Sequence, residues 1–503
     1  MKFFKIGTSL LVGALVVTTL VGCSTASEGT PAQDRHLRIA VEVEPPALNI
    51  FGNRSSATTE YQLYNMVEGL VRLSDDGTIE PLLAESYEIS PDGTTYKFSL
   101  VDATFHDGTP LTADDVKFSI GLHNADQAVP SVFKAEMALV EGVEVIDDKT
   151  VSVTLSRPSW GWLTSMAGPA GVIVSEQSYA TQEANPVGTG PLKFVEWRRG
   201  DSLVLERFDE YWGEKPQVEK VTFKYIADPN AQINALRTGA VDVLDDLTSP
   251  ELLPTVEGAP NLEVIQGKTA GKIILAVNNA REPFTDVRIR EAISFAIDRD
   301  ALIKSVYGGY GDPIAGYSVT VDPWYVDFTT DYQYDPDRAK QLLADAGYDA
   351  STPLTILAPP QSFARKSSEF LANSLNAVGM NVEIQNIEWA SWIADVFSGA
   401  QDYDMTIGIQ TRFGDLYYFG NPGIYYHYDN PEVAALLAEG DAAATIEDRD
   451  AAYEEVLRIV TKDVATVPLF EQPALGIINT NKVESFRADN IAFSINLTSA
   501  VMK

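Results

Sequence analysis

The chain has 503 residues, with 37 lysines and arginines against 71 aspartates and glutamates and a formal net charge of −34; at roughly 150 residues per domain, that is room for about three domains. Hydrophobic residues at 45 % and charged residues at 21 % are ordinary globular proportions, which exclude general disorder and a multi-spanning membrane protein, and so acidic a chain repels polyanions, so nucleic acid is not an expected partner. A single cysteine excludes any intrachain disulfide and any cysteine-based zinc cluster.

Residues 1–22 read as a signal peptide. Lys2 and Lys5 precede an apolar run from Ile6 to Val21 that stops at Gly22-Cys23; the run is short for a spanning helix and its basic flank is N-terminal. Leu20-Val21-Gly22-Cys23 resembles the bacterial lipobox, which implies cleavage before Cys23 and lipid on its sulfur and amine. Residues 23–35 are mostly small and polar and are expected to form a flexible tether. The chain would then be extracytoplasmic, held at the cell membrane by its lipid without spanning it.

From Leu37 onward, strands alternate with short amphipathic helices, the pattern of an α/β protein. Arg38 to Val41 is the first expected strand. Tyr87 and Ile89 lead through Ser90-Pro91-Asp92-Gly93 into Tyr96, Phe98 and Leu100, a hairpin with suitable turn chemistry. Thr112 to Asp115 has the form of a capping box opening a helix through Val116 and Ile120. Val143 and Val145 are expected to face Val151, Val153 and Leu155 across Asp147-Asp148-Lys149-Thr150 in an antiparallel pair. Asp228-Pro229 and Asp335-Pro336 each open a helix with proline at its first position, and Gly239 and Gly347 close them. Thr285 can cap a helix carrying Ile289, Ile293 and Ala296 and continuing toward Val306, and Val382 with Ile384 predicts a strand.

Eight segments in order resemble the family 5 extracellular solute-binding proteins of ABC importers, the peptide/nickel class that includes oligopeptide- and dipeptide-binding proteins. They are YNMVEGLVRL (64–73), PLLAESYEISPDGTTYKFSL (81–100), TFHDGTPLTADDVKFSI (104–120), NPVGTGPLKFVEW (185–197), DEYWGEKP (209–216), ALRTGAVDV (235–243), the run 275–303 and YDPDRAKQLLADAGY (334–348). Val101 departs from the pattern, because the family usually has a basic residue there. The resemblance implies a two-lobe α/β fold of the periplasmic-binding-protein type (type II) with an extra inserted subdomain and a ligand cleft between the lobes. Mapped by motif, the first lobe is expected over 36–51, 181–268 and 470–503, with its insert over 52–180, and the second lobe over 269–469. The implied role is that of a lipid-anchored, monomeric receptor that captures peptides and delivers them to a membrane permease driven by a cytoplasmic ATPase. An oligosaccharide or a nickel or other metal chelate is the alternative ligand, and no cofactor or resident metal is called for.

Other readings of the motifs carry less. Gly188-Thr189-Gly190 is followed by a proline and a strand-like stretch instead of a helix with a lysine, so it reads as a tight structural turn near the lobe junction and not as a phosphate loop. His106 beside Asp107 reads as a hydrogen-bonded turn histidine, since the other histidines lack metal-ligand spacing. Asp75-Asp76, Asp114-Asp115 and Asp245-Asp246 are expected as solvated surface or caps in a chain this acidic. A hydrolase is remote, because the chain has neither a Gly-x-Ser-x-Gly elbow nor a His-Glu-x-x-His helix.

Specificity is expected to lie between 384 and 428. Trp389 stands where oligopeptide-binding members carry a pocket tryptophan. After Tyr403-Asp404-Met405 their pattern runs to a tryptophan and, three positions on, an aspartate that holds the peptide's α-ammonium; here those positions are Gln410 and Phe413. A buried ammonium without a counter-charge costs several kcal/mol. Asp415 through a shifted loop, Glu44 in the early Glu-Pro-Pro segment, or a ligand with no buried ammonium are the three ways to resolve this. Arg412 suits a carboxylate or phosphate, and Tyr417 and Tyr418 head an aromatic cluster able to stack on sugar rings or side chains.

Overall fold

Two mixed sheets organise the chain in this computed structural model, which describes residues 35–503 apart from 54, 352, 399, 400, 444 and 493. The signal peptide, Cys23 and nearly all of the tether therefore lie outside the described residues. The first sheet has seven strands in the order Leu262–Gly267, Ala474–Asn479, Val243–Leu244, His36–Val41, Lys220–Tyr225, Ser202–Arg207 and Leu192–Arg198. The second has five, in the order Val382–Asn386, Leu354–Ala358, Met405–Gln410, Lys272–Val277 and Val467–Glu471. Lys272–Val277 is buried at every residue, as a strand covered on both faces must be.

The chain passes from the first sheet to the second between Gly267 and Lys272 and returns between Glu471 and Ala474. The two crossings run side by side. Gln472 N donates to Gly271 O at 2.8 Å, Thr269 Oγ1 donates to Gln472 O at 2.9 Å, and Gly271 N donates to Thr269 Oγ1 at 2.8 Å. A Cβ on Gly271 would stand 2.4 Å from Gln472 Oε1, so the close approach requires glycine there. Two short adjacent crossings between packed lobes are the geometry of a hinge.

A third, antiparallel sheet of four strands, Ala84–Ile89, Thr95–Leu100, Thr150–Leu155 and Val140–Asp147, belongs to the inserted region. Both antiparallel pairs expected from the sequence are present, with Tyr87 opposite Phe98, Ile89 opposite Tyr96 and Val143 opposite Val153, while Leu155 pairs with Val140. Phe98 and Trp162 of this region share one apolar core with Leu37 and Phe223 of the seven-stranded sheet. At Val101 the missing family cation is made up from elsewhere, because Lys149 Nζ reaches Asp102 at 3.0 Å and the Val101 carbonyl at 3.0 Å.

The helix punctuation is as expected at both aspartate–proline starts. Asp228 accepts from Ala231 N and Asp335 from Arg338 N, and Gly239 and Gly347 close the helices at φ 72° and 66°. The helix expected from Thr285 to Val306 differs in two ways. Its cap is Asp286, which accepts from Arg288 N, and it ends at Phe295; a second helix, Arg299–Tyr307, starts under its own cap, Asp298. A short acid fits the cap position better than its threonine neighbour, and a second cap three residues past the first helix restarts the chain in a new direction.

The glycine-rich turn serves packing, as a tight structural turn should, against the segment that carries Asn65, Met66 and Glu68. A Cβ on Gly188 would stand 2.1 Å from Met66 O and one on Gly190 2.6 Å from Asn65 O, while Thr189 Oγ1 donates to the buried Glu68 at 2.8 Å. His106 completes the turn: Gly188 N donates to its Nδ1 at 3.3 Å, its Nε2 meets Gly190 O at 2.9 Å, and burial pulls its pKa down to about 4. Gly188→Ala therefore pushes a methyl into backbone and should cost about 1–3 kcal/mol, read as a lowered denaturation midpoint against Gly142→Ala, whose added Cβ meets nothing within 4 Å.

Candidate ligand cleft

In both large sheets the parallel strands point their carboxyl ends toward the region between the lobes, where α/β sheets place their ligands. In the first lobe His36–Val41 runs parallel to Lys220–Tyr225 and Val243–Leu244, and releases Glu42–Glu44 and Asp245-Asp246 at that end. In the second, Leu354–Ala358 runs parallel to Val382–Asn386 and Met405–Gln410, and releases Trp389 and Thr411–Asp415. The two sets of ends meet. A cavity of about 130 Å³ is lined by Glu60, Asp245 and Asp246 from the first lobe, Thr411 from the second, and Thr269 and Gln472 from the crossings.

The floor of this cavity is acidic and no basic side chain is among the groups acting on its carboxyls. Burial, reinforced by Asp246, raises Glu60 to about 7. Burial also drives Asp245 well above the usual carboxylate range, with Glu60 and Asp246 adding to the rise. Asp246 reaches solvent yet lies deep enough in the cleft for burial to raise it to about 6, with Glu42 contributing. Three carboxyls held this close against one another favour either protons or a cation.

The carboxylates the sequence nominated are otherwise engaged. Asp415 is 2 % exposed; its Oδ1 lies 3.0 Å from Lys272 Nζ and its Oδ2 accepts from Tyr317 OH at 3.2 Å. Burial alone would push the Lys272 ammonium down, but Asp415, with Asp322 and Glu471 behind it, holds it above the ordinary lysine value. Glu44 accepts from Gly200 N with both oxygens, at 3.0 and 3.1 Å, and so pins the turn between two first-lobe strands. Its neighbour Val43 is exposed, and Tyr61 OH donates to the Val43 carbonyl at 2.6 Å.

Of the remaining nominated residues, Gln410 is buried with its Nε2 on Tyr425 OH at 2.7 Å. Arg412 crosses to the inserted region and pairs with Glu136 at 2.6 Å, and Phe413 lies against Trp324 and the turn at Gly77 of the first lobe. Trp389 is 45 % exposed and stacks flat on Trp392 at 4.9 Å, which stacks in turn on Phe397 at 5.7 Å. Tyr417 is exposed and rests on Tyr418, ring centroids 4.5 Å apart. Glu60, Asp245 and Asp246 went unnominated: the adjacent aspartates read as surface, and the one available signal was their place just past a short parallel strand.

A larger cavity, of about 460 Å³, lies within the first lobe beside Tyr64, Arg72 and the C-terminal stretch; the buried carboxylate at its wall, Glu68, is satisfied by Tyr211, Thr189 and Trp212. Its lining comes from one lobe, so lobe closure does not enclose it. Among the described residues no group of three histidine, cysteine or acidic side chains is placed to hold a metal ion.

The profile of bacterial extracellular solute-binding proteins, family 5 (middle), matches residues 78–432. The chain is 28 % identical over 474 residues to heme-binding protein A of Haemophilus influenzae, covering 84 % of each. It is 28 % identical over 422 residues to di/tripeptide-binding protein 2 of Pseudomonas aeruginosa, covering 77 % of this chain and 79 % of that one. Among solved structures it is similar to the binding protein AgaA of A. tumefaciens R10 in complex with agropinic acid, with a TM-score of 0.70 and 29 % identity over 93 % of this chain and 98 % of that one.

Breaking the Lys272–Asp415 pair from one side strands a buried charge, so Lys272→Met should destabilise the chain by about 3–5 kcal/mol. The double variant Lys272→Met with Asp415→Leu should recover most of that loss, as measured by denaturant unfolding.

Proposed function

The chain belongs to family 5 of the bacterial extracellular solute-binding proteins, the substrate-binding components of ABC importers, and from that membership we propose that it captures a peptide by its cationic end on the acidic floor between its lobes. The observation that carries the reading is the trio Glu60, Asp245 and Asp246 facing Thr411 across one cavity. An ammonium placed there meets its counter-charge on the first lobe, in place of the aspartate that Phe413 replaces on the second. Binding involves no covalent step: the ligand's backbone lies along the Glu42-Val43 segment, both of whose side chains are exposed, and the Thr411–Phe413 loop, and Trp389 offers a flat wall for a side chain. Release to the membrane permease, coupled to its cytoplasmic ATPase, completes the role of a receptor without an activity of its own.

The same proposal puts the chain outside the cytoplasmic membrane as a monomer, with Cys23 carrying the lipid and residues 24–34 as the tether. No helix among the described residues is long and apolar enough to cross a membrane. Cys23→Ser should move the protein from the detergent phase to the aqueous phase on detergent partitioning; retention in the detergent phase contradicts the anchor.

Cation capture by these carboxyls is linked to pH. Below about 6 they hold protons, and between 6 and 7 Asp246 and then Glu60 ionise, so affinity for a cationic ligand rises with pH. In the empty receptor the sign is the opposite for these groups: with their pKa values raised, the contribution of Glu60 and Asp246 to stability is greatest at low pH and falls as pH climbs from about 4 to about 7. Titration calorimetry with a panel of free and N-acetylated tripeptides should show affinity rising at least about tenfold from pH 5.5 to 7.5 for the free peptides and a comparable loss on acetylation. Glu60→Gln with Asp246→Asn should flatten the pH profile. Tight, pH-independent binding of a neutral oligosaccharide, with no response to the free peptides, overturns the reading.

A further inference from the structure

The inserted region and the second lobe are joined far from the hinge in sequence, at a helix start whose own cap, Ser159, accepts from Trp162 N at 3.2 Å and whose next free donor reaches the other lobe. Asp441 ends the second-lobe helix Pro431–Asp441. Its Oδ1 accepts from Ser159 Oγ at 2.9 Å and from Gly161 N at 3.0 Å, and its Oδ2 from Arg157 Nη1 at 2.7 Å. These three donors precede or open the helix Trp160–Met166 of the insert. Beside them Trp160, 7 % exposed, donates its indole N–H to Ala443 O at 2.8 Å, and the Arg449 guanidinium lies 5.2 Å from its ring. Arg412 with Glu136, at 2.6 Å, is a second tie between the same two parts of the chain.

We propose that Asp441 with Arg157, Ser159, Gly161 and Trp160 forms a closure latch, which holds the insert against the second lobe and must release for the lobes to part and load ligand. The amide of Gly161 is one of the first N–H groups of a helix, which no intrahelical carbonyl can satisfy; here its acceptor is on the other lobe. Such a donor is paired when the lobes are closed and returns to water when they open. Hydrogen bonds to a carboxylate that still reaches solvent are individually modest, and Asp441 is 24 % exposed. The latch is thus strong enough to bias the two-state equilibrium and weak enough to open. The hinge crossings, with their own hydrogen bonds between Thr269, Gly271 and Gln472, do not depend on it.

The inference rests on the two-lobe fold and not on the identity of the ligand, so it is tested on the empty, full chain in detergent. Hydrogen exchange should find the Gly161 amide protected in the native sequence and exchanging about tenfold faster in Asp441→Ala, while amides later in the same helix keep their protection. Electron–electron distance measurements between nitroxides at Glu141 and Glu439, in a Cys23→Ser background, should show one short population that gains a longer one in Asp441→Ala. Should that variant fail to fold, Arg157→Ala removes one contact, leaves the cap in place and should move both readouts less in the same direction. A Gly161 amide already unprotected in the native chain, or an unchanged distance distribution in the variants, overturns the latch.

Discussion

The buried ion pair between Lys272 and Asp415 is the interaction on which the cleft depends. Lys272 is the first residue of the second lobe's fully buried strand Lys272–Val277, one step past the hinge glycine, and it is 1 % exposed. An ammonium in that position would be strongly disfavoured by desolvation were it not for a carboxylate at 3.0 Å and two more acids nearby. The pair therefore ties together three pieces of chain distant in sequence: the hinge exit, the Tyr317 loop that hydrogen-bonds the same carboxylate, and the 411–415 segment that presents Thr411, Arg412 and Phe413 to the first lobe.

The consequence is a division of labour among charges. The acid on the cleft loop, Asp415, is consumed internally, and the cation, Arg412, is consumed by Glu136. What remains open to a ligand is the uncompensated acidity of Glu60, Asp245 and Asp246, whose pKa values are raised by burial and by neighbouring acids. The acidity of the whole chain, which at first says only that polyanions are repelled, is continued into the cleft, and under the proposed function it is there that a cationic ligand is selected. On the resemblance to oligopeptide-binding members, the second-lobe position expected to supply an ammonium's counter-charge carries Phe413 here, and the proposed counter-charge lies on the first lobe.

Features written in local chemistry were legible from sequence. The Ser90-Pro91-Asp92-Gly93 turn fixed a hairpin register that the structure shares, and the aspartate–proline starts with their glycine stops bounded two helices to the residue. The family resemblance extended that legibility to the two-lobe fold. The site was less readable because its contacts are long-range. Nothing near Asp415 announces that its partner is Lys272, nothing near Glu44 announces Gly200, and Glu60 meets Asp245 only because a helix of the first lobe packs beside the end of a two-residue strand. Asp245-Asp246 was indistinguishable from solvated acid pairs until the strand order placed it at a carboxyl end facing the other lobe. The Thr285 cap shows the same limit at short range, since two adjacent cap-forming residues compete and the turn geometry decides for Asp286.

The most direct measurement is a crystal structure of the chain with a bound peptide that survives purification or is added back. It should show the peptide's α-ammonium within hydrogen-bond distance of Asp245 or Asp246, with Thr411 against it and the Lys272–Asp415 pair intact. A ligand held instead in the cavity of about 460 Å³ within the first lobe, or one between the lobes that places no cationic group on those carboxylates, would contradict the account.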